Sequence, residues 1–189
     1  MIELTELEKL IYNRSRSYGG VSAVVTGSTG CGKTNALIRI ALTLLDMEDI
    51  IVWRAKNNCQ WSMFTYYDVN LVLHLKRDVS YKLFKRKKKI GKKREYVSLK
   101  RYFSEVILWD DERELVNNLK PGAINIIQTT PVDPTNMEQH IAFSKSWLEI
   151  MKNLTERDWD IWVTILFDEW EDLAPMSESG FWSINLSVA

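Results

Sequence analysis

The chain has 189 residues, 25 Lys and Arg against 25 Asp and Glu, and 46% hydrophobic residues, so its formal net charge is zero. That length and apolar content fit one folded domain over 1–189 and exclude an extended, highly charged chain. No apolar run approaches the roughly 20 residues needed to cross a bilayer. The acidic amphipathic start is unlike a secretory signal, and Cys31 and Cys59 have no metal-ligand spacing, so a reducing, cytoplasmic setting is expected.

Thr5 to Glu8 fits a capping box, and Leu4, Leu7, Leu10 and Ile11 share one helical stripe. A short amphipathic helix is therefore predicted ahead of Gly19–Gly20. Val21 to Thr26 is a β-branched run of strand length, and Asn35 to Leu45 is rich in helix formers without Gly or Pro. Between them stands Gly27-Ser28-Thr29-Gly30-Cys31-Gly32-Lys33-Thr34, a complete G-x-x-x-x-G-K-[ST] pattern. Strand, glycine loop and helix in this order suit a polyphosphate tail. The glycines let successive N–H groups turn inward, Lys33 brings a positive charge, Thr34 offers a hydroxyl to Mg²⁺, and the helix start adds its dipole. The chain is expected to bind a nucleoside triphosphate.

Further on, Ile50–Trp53 reads as a buried strand. Val69, Leu71, Leu73 and Leu75 alternate as one face of another. Residues 80–84 and 95–99 predict two strands joined by a basic tip that turns at Gly91. Val106–Trp109 and Ala123–Ile127 are strand candidates. A helix is expected over 111–120, stopped by Pro121-Gly122, then a turn at Pro131–Pro134. Residues 136–156 place Phe143, Trp147, Ile150, Met151 and Leu154 on one face of a long helix. Ile161–Phe167 is a last buried strand, followed at once by Asp168-Glu169. The order predicts an α/β fold, a largely parallel sheet flanked by helices, with a basic β-hairpin insertion around 69–100. Most of the eight tryptophans sit among apolar neighbours and read as core.

Ligands of open α/β sheets gather at the carboxyl ends of strands. An acid there can organise Mg²⁺ opposite Thr34, a role for Asp168. The adjacent Glu169 can take the proton of an attacking water. Asp68, Asp110 and Asp111 also follow apolar runs and compete for this assignment, whereas Glu171 and Asp172 read as a solvated acidic face.

Residues 27–34 and 161–169 resemble the Walker A and Walker B elements of P-loop NTPases, in the branch with a glutamate after the Walker B aspartate. Within that branch the chain looks most like the HerA/FtsK group of DNA-pumping ATPases, which includes viral packaging and conjugative coupling enzymes. The similarity rests on the early phosphate loop, the strand Ile50–Trp53 after its helix, and an insertion before a late Phe167-Asp168-Glu169-Trp170. It implies a RecA-like fold and ATP hydrolysis with Mg²⁺, with Lys33 and Glu169 catalytic. It also implies coupling to nucleic acid, and a homo-oligomer. Members of the group carry further strands, a polar sensor and often a trans arginine after Walker B. Here 20 residues follow Glu169, so slow hydrolysis by the isolated chain is expected. Gln128 is a candidate sensor, against the plainer role of a structural amide.

Zero net charge conceals polarity. Residues 76–101 hold 13 Lys and Arg against Asp78 and Glu95, a net of +11, while 102–189 hold 5 against 16, a net of −11. Such polarity suits an anionic partner or the packing of opposite faces between subunits. Lys85, Arg86, Lys87, Lys88, Lys89, Lys92, Lys93 and Arg94, flanked by Tyr81, Phe84, Tyr96 and Tyr102, could track a DNA backbone. The plainer alternative is a charged hairpin tip that keeps an edge from aggregating. Two other readings share the phosphate loop: a small-molecule kinase, without a recognisable arginine-rich lid, and a nucleotide-gated adaptor without turnover. A GTPase is disfavoured because an Asn-Lys-x-Asp motif is absent.

Overall fold

A computed structural model describes residues 31–54, 60–84, 96–129 and 136–167. The elements in chain order are α1 (Lys33–Leu45), β1 (Ile50–Arg54), a 3₁₀ helix (Gln60–Tyr66), β2 (Leu71–Lys76), β3 (Leu83–Phe84), β4 (Tyr96–Val97), a 3₁₀ turn (Leu99–Arg101), β5 (Glu105–Trp109), α2 (Glu112–Asn117), β6 (Ile124–Gln128), α3 (Met137–Glu156) and β7 (Val163–Phe167). Among the described residues five strands form one sheet in the order β5-β2-β6-β1-β7, and every pairing in it is parallel. The fold is α/β, a five-stranded parallel sheet flanked by helices.

Parallel neighbours need long crossovers, and these cover both faces of the sheet. On one face α1 and the first 3₁₀ helix pack Ile38, Ala41, Leu44, Trp61 and Phe64 against Ile51, Trp53, Leu73, Ile126 and Leu166. On the other, α2 and α3 pack Leu115, Trp147, Ile150 and Leu154 against Ile50, Val52, Trp109 and Ile127. Trp53, Trp61, Trp109 and Trp147 are all at most 2% exposed. Burying a side chain of that size stabilises by roughly 1.5–3 kcal/mol or more, which is why tryptophan belongs at these positions. Trp53 meets Phe64 edge-on at 4.9 Å. Trp159 is only partly buried, its ring covered by the Arg157 guanidinium at 4.1 Å.

The strands expected at 50, 106, 123 and 161 stand within a few residues of their predicted bounds, as do the helices at 111 and 136. Asp111 caps α2, its carboxylate accepting the Glu114 N–H at 2.8 Å, and Asn136 caps α3 through the Gln139 N–H at 3.1 Å. One expectation is corrected. The stretch after Val69 does not open a hairpin insertion, because β2 lies inside the parallel sheet between β5 and β6. Leu71, Leu73 and Leu75 do share one face, but Val72 and His74 on the other are 3% and 0% exposed. Alternation marks a half-covered strand, whereas a strand covered on both sides needs none. Among the described residues β3 and β4 make the antiparallel pair, with Leu83 opposite Val97 and Phe84 opposite Tyr96.

A polar knot lies within the apolar interior. Asn125 Oδ1 accepts from His74 Nε2 at 2.9 Å and from the Lys120 N–H at 2.9 Å. Its Nδ2 donates to the carbonyls of Lys120 at 2.9 Å and Ile51 at 3.1 Å. Both side chains are fully buried, so this knot ties β1, β2, β6 and the turn before β6 into one register. No helix among the described residues is long and apolar enough to cross a membrane.

Candidate functional site

The expected helix over 4–11, the strand over 21–26, Gly27, Ser28, Thr29, Gly30, the basic tip Lys85–Arg94, the turn at 131–134, and Asp168 with Glu169 lie outside the described residues. Cys31, Gly32, Lys33 and Thr34 lie within them.

Gly32 is the N-cap of α1 with φ 97° and ψ 17°, a left-handed backbone that L side chains rarely adopt. A Cβ built there would meet nothing within 4 Å, so the requirement for glycine is conformational, not steric. Gly32→Ala is accordingly expected to cost about 1–2 kcal/mol. For a domain of this size the loss reads as a fall of roughly 2–8 °C in the melting midpoint. The turn of chain at Gly32 delivers Lys33 and Thr34 into the first turn of α1, where the Gly32 carbonyl accepts the Ala36 N–H at 3.0 Å. That first turn holds no acidic side chain, and the cap residue supplies no side-chain acceptor. No acid of that turn offsets the positive end of the helix dipole, which favours an anion there. These features fit a phosphate group.

The connectivity of α1 and β1 decides where that start lies. The α1 helix turns into β1 through only four residues, with Glu48 at φ 62° and the Asp49 N–H bonded to the Leu44 carbonyl at 3.2 Å. The helix consequently runs antiparallel to β1. Thirteen helical residues cover about 20 Å and five strand residues about 16 Å, so Lys33 stands at the carboxyl edge of the sheet. That edge is also formed by Arg54, Gln128 and Phe167, because all five strands point the same way. β7 is the direct neighbour of β1, with Arg54 level with Phe167. The chain leaves β7 at Phe167, immediately before Asp168 in sequence.

Two of the three competing acids, Asp110 and Asp111, are otherwise engaged. Asp110 takes the Arg77 Nε–H at 2.9 Å on both oxygens, and Asp111 caps α2. Both follow β5, at the opposite end of the sheet from β7. Among the described residues no group of three His, Cys, Asp or Glu could hold a metal ion. Thr34 is thus the only described member of the expected Mg²⁺ pair.

Two further side chains stand at this edge. Arg54 is 3% exposed and holds its guanidinium 5.1 Å over the Phe143 ring of α3. The apolar run predicts a strand over Ile50–Trp53, one residue short of the observed Ile50–Arg54. The missed signal was a cation closing an apolar run at the carboxyl end of a parallel strand. Gln128, the candidate sensor, is 4% exposed, and its Nε2 has no hydrogen-bond partner among the described residues. The buried indole nitrogens of Trp53, Trp109 and Trp147 share this state, so it does not separate a sensor from a structural amide. β1 also separates Gln128 from β7, so it does not adjoin the strand that leads to Asp168.

A cleft of ≈ 650 Å³ lies elsewhere, between α2 and α3, lined among others by Glu112, Arg113, Val116, Lys152, Asn153 and Arg157. It is on the face of the sheet opposite α1 and has no part in the phosphate-loop geometry. Comparison with known proteins finds no matching family model, no matching curated protein and no matching solved structure.

Proposed function

We propose that the chain is a P-loop ATPase that binds ATP and couples its Mg²⁺-dependent hydrolysis to the movement or packaging of nucleic acid. One observation carries this reading. The left-handed Gly32 and the uncapped start of α1, bearing Lys33 and Thr34, share the carboxyl edge of a parallel sheet with the end of the strand that precedes Asp168-Glu169. In a RecA-like arrangement the backbone N–H groups of residues 27–34 cradle the phosphates and the Lys33 ammonium neutralises their outer oxygens. Thr34 and Asp168 would hold Mg²⁺, which when bound supplies charge neutralisation on the phosphoryl oxygens. Glu169 orients the attacking water and accepts its proton. The nucleic-acid half of the reading is supported by the net +11 of residues 76–101, which run from the last residue of β2 towards β5.

The test is binding of a fluorescent ATP analogue, followed by phosphate release with and without single- and double-stranded DNA. Lys33→Ala is expected to weaken nucleotide binding about 10- to 100-fold, the worth of one hydrogen-bonded charge at 1.4 kcal/mol per decade. DNA is expected to stimulate wild-type turnover. Unchanged ATP affinity in Lys33→Ala would remove the nucleotide site, and stimulation by a metabolite in place of DNA would replace the motor by a kinase.

A further inference from the structure

Among the described residues the sheet ends at β5, which pairs with β2 on one side only. Strand edges are ordinarily blunted by a proline, a bulge or a charge along the strand. The middle of β5 has none of these. Its register with β2 runs unbroken from Val72 opposite Glu105 to Lys76 opposite Trp109, and between those ends stand Val106, Ile107 and Leu108. Leu108 is 43% exposed, and Val106, on the same face, packs only partly into the core.

The backbone of this edge has a defined orientation. The Trp109 carbonyl accepts the Arg77 N–H at 2.9 Å, so Trp109 turns its polar groups toward β2. Backbone groups alternate along a strand, hence Ile107 and Glu105 also face β2, and Val106 and Leu108 hold their N–H and C=O groups on the side away from it. Charges lie only at the two ends. Lys120 meets Glu105 at 3.6 Å at the amino end, and Arg77 meets Asp110 at 2.9 Å at the carboxyl end. Each of these four side chains keeps 42% or more of its surface in solvent, so each is available to a partner.

The geometry points to this edge as the contact between two copies of the chain, β5 running antiparallel to the partner's β5 about a two-fold axis at Ile107. A two-fold contact must be self-complementary, and this strand is. Val106 then stands opposite the partner's Leu108, and Leu108 opposite the partner's Val106, each a hydrogen-bonded pair that uses the outward backbone groups of both residues. Both are apolar cross-strand pairs on one face, and they cover the exposed Leu108. The same pairing brings Glu105 and Lys120 of one copy beside the partner's Arg77 and Asp110, so opposite charges meet at each end. A parallel pairing would instead set like charges together, Glu105 by Glu105 and Asp110 by Asp110. The contact is independent of the nucleotide site and goes beyond the function proposed above.

The experiment is sedimentation equilibrium of the full chain over about 5 to 1,000 µM. One short edge is small beside the roughly 1,200 Å² of a standard stable interface, so a reversible monomer–dimer equilibrium with a Kd of about 10–500 µM is expected. Leu108→Lys sets a charge into both apolar pairs, and Leu108→Pro removes an N–H that the sheet itself does not use. Each should weaken pairing at least about tenfold. Register is read by cross-linking. Ile107 faces the partner's Ile107 as a non-hydrogen-bonded pair with Cα atoms about 4.5 Å apart, within disulfide reach. Ile107→Cys should therefore form a covalent dimer under mild oxidant, above the wild-type background of Cys31 and Cys59. Leu108→Cys, which faces the partner's Val106, should not. A monomer at every concentration, pairing unaltered in both Leu108→Lys and Leu108→Pro, or equal cross-linking of the two cysteine variants would each overturn the proposal. ATP binding by the same samples separates the readings, since a monomer that binds ATP sinks this contact alone and a dimer that does not bind it sinks only the nucleotide site.

Discussion

Glu169→Gln is expected to lower ATP turnover by about 10²- to 10⁴-fold while leaving ATP affinity nearly unchanged, the usual worth of one general base. The substitution is isosteric and removes only the ability to accept a proton, so phosphate contacts through Lys33 and the loop amides persist. Its value lies in the control that the fold supplies. Val106 to Glu112 is a second apolar run ending in Asp-Asp-Glu, which by sequence alone competes with Ile161 to Glu169. The two runs occupy opposite ends of the sheet. Asp110 is committed to Arg77 at 2.9 Å, and Asp111 to the Glu114 N–H. Asp111→Asn keeps the cap, since asparagine caps as well as aspartate, and should leave turnover intact. If Asp111→Asn abolished hydrolysis and Glu169→Gln did not, the site would have to move to the β5 end of the sheet. Phosphate release under ATP saturation reads both variants on one scale.

The second large effect is on stability in acid. Burial holds the His74 imidazole at a pKa of about 4, well below its ordinary 6.5, with the hydrogen bond to Asn125 and the charge of Glu105 opposing that shift and Lys120 adding to it. His74 is therefore neutral in the folded chain, its Nε2–H given to Asn125. The unfolded chain binds a proton near pH 6.5 and the folded chain only near pH 4. Between those values the unfolded state carries more protons, so stability rises with pH. The contribution is fully present above pH 6.5 and lost as pH falls towards 4, and it amounts to about 2.5 kcal/mol by pH 4.5. Unfolding free energies from urea titrations at pH 7 and pH 4.5 should therefore include that amount in their difference in the wild type. In His74→Gln, which offers Asn125 a neutral donor, the gap should shrink by the same amount, with the carboxylates titrating alike in both. An equal acid sensitivity in the two proteins would show that His74 carries no such linkage. Asn125→Ala is expected to cost about 3 kcal/mol or more at neutral pH, because it leaves His74 Nε2 and the Lys120 amide without an acceptor.

Much of the architecture was legible in local patterns, and the exceptions share a cause. Apolar runs bounded by Gly, Pro or acids located β1, β5, β6 and β7, and the stripe Phe143, Trp147, Ile150, Leu154 located α3. The run 69–75 reads as part of the hairpin insertion but stands in the parallel sheet, because a short apolar strand reads alike in both. Nothing local at Val72 or His74 announces that a second layer covers them. Arg54 was missed for the same reason, since its burial under Phe143 joins residues 89 positions apart. The helix start at Gly32–Lys33, by contrast, is legible because a glycine loop feeding a helix is specified within a dozen residues.

The amino-acid order alone determined the glycine, lysine and threonine pattern at the start of α1, the placing of most strands and helices, and the opposed charges of 76–101 and 102–189. These depend on backbone freedom, propensity and charge, all properties of neighbouring residues. Only the tertiary structure decided the order β5-β2-β6-β1-β7 and set Lys33 at the same edge as the end of β7. It alone separated the engaged Asp110 and Asp111 from that edge and buried Trp61 against Phe103. Those outcomes follow from which distant surfaces exclude water together, and no short window of sequence contains both partners.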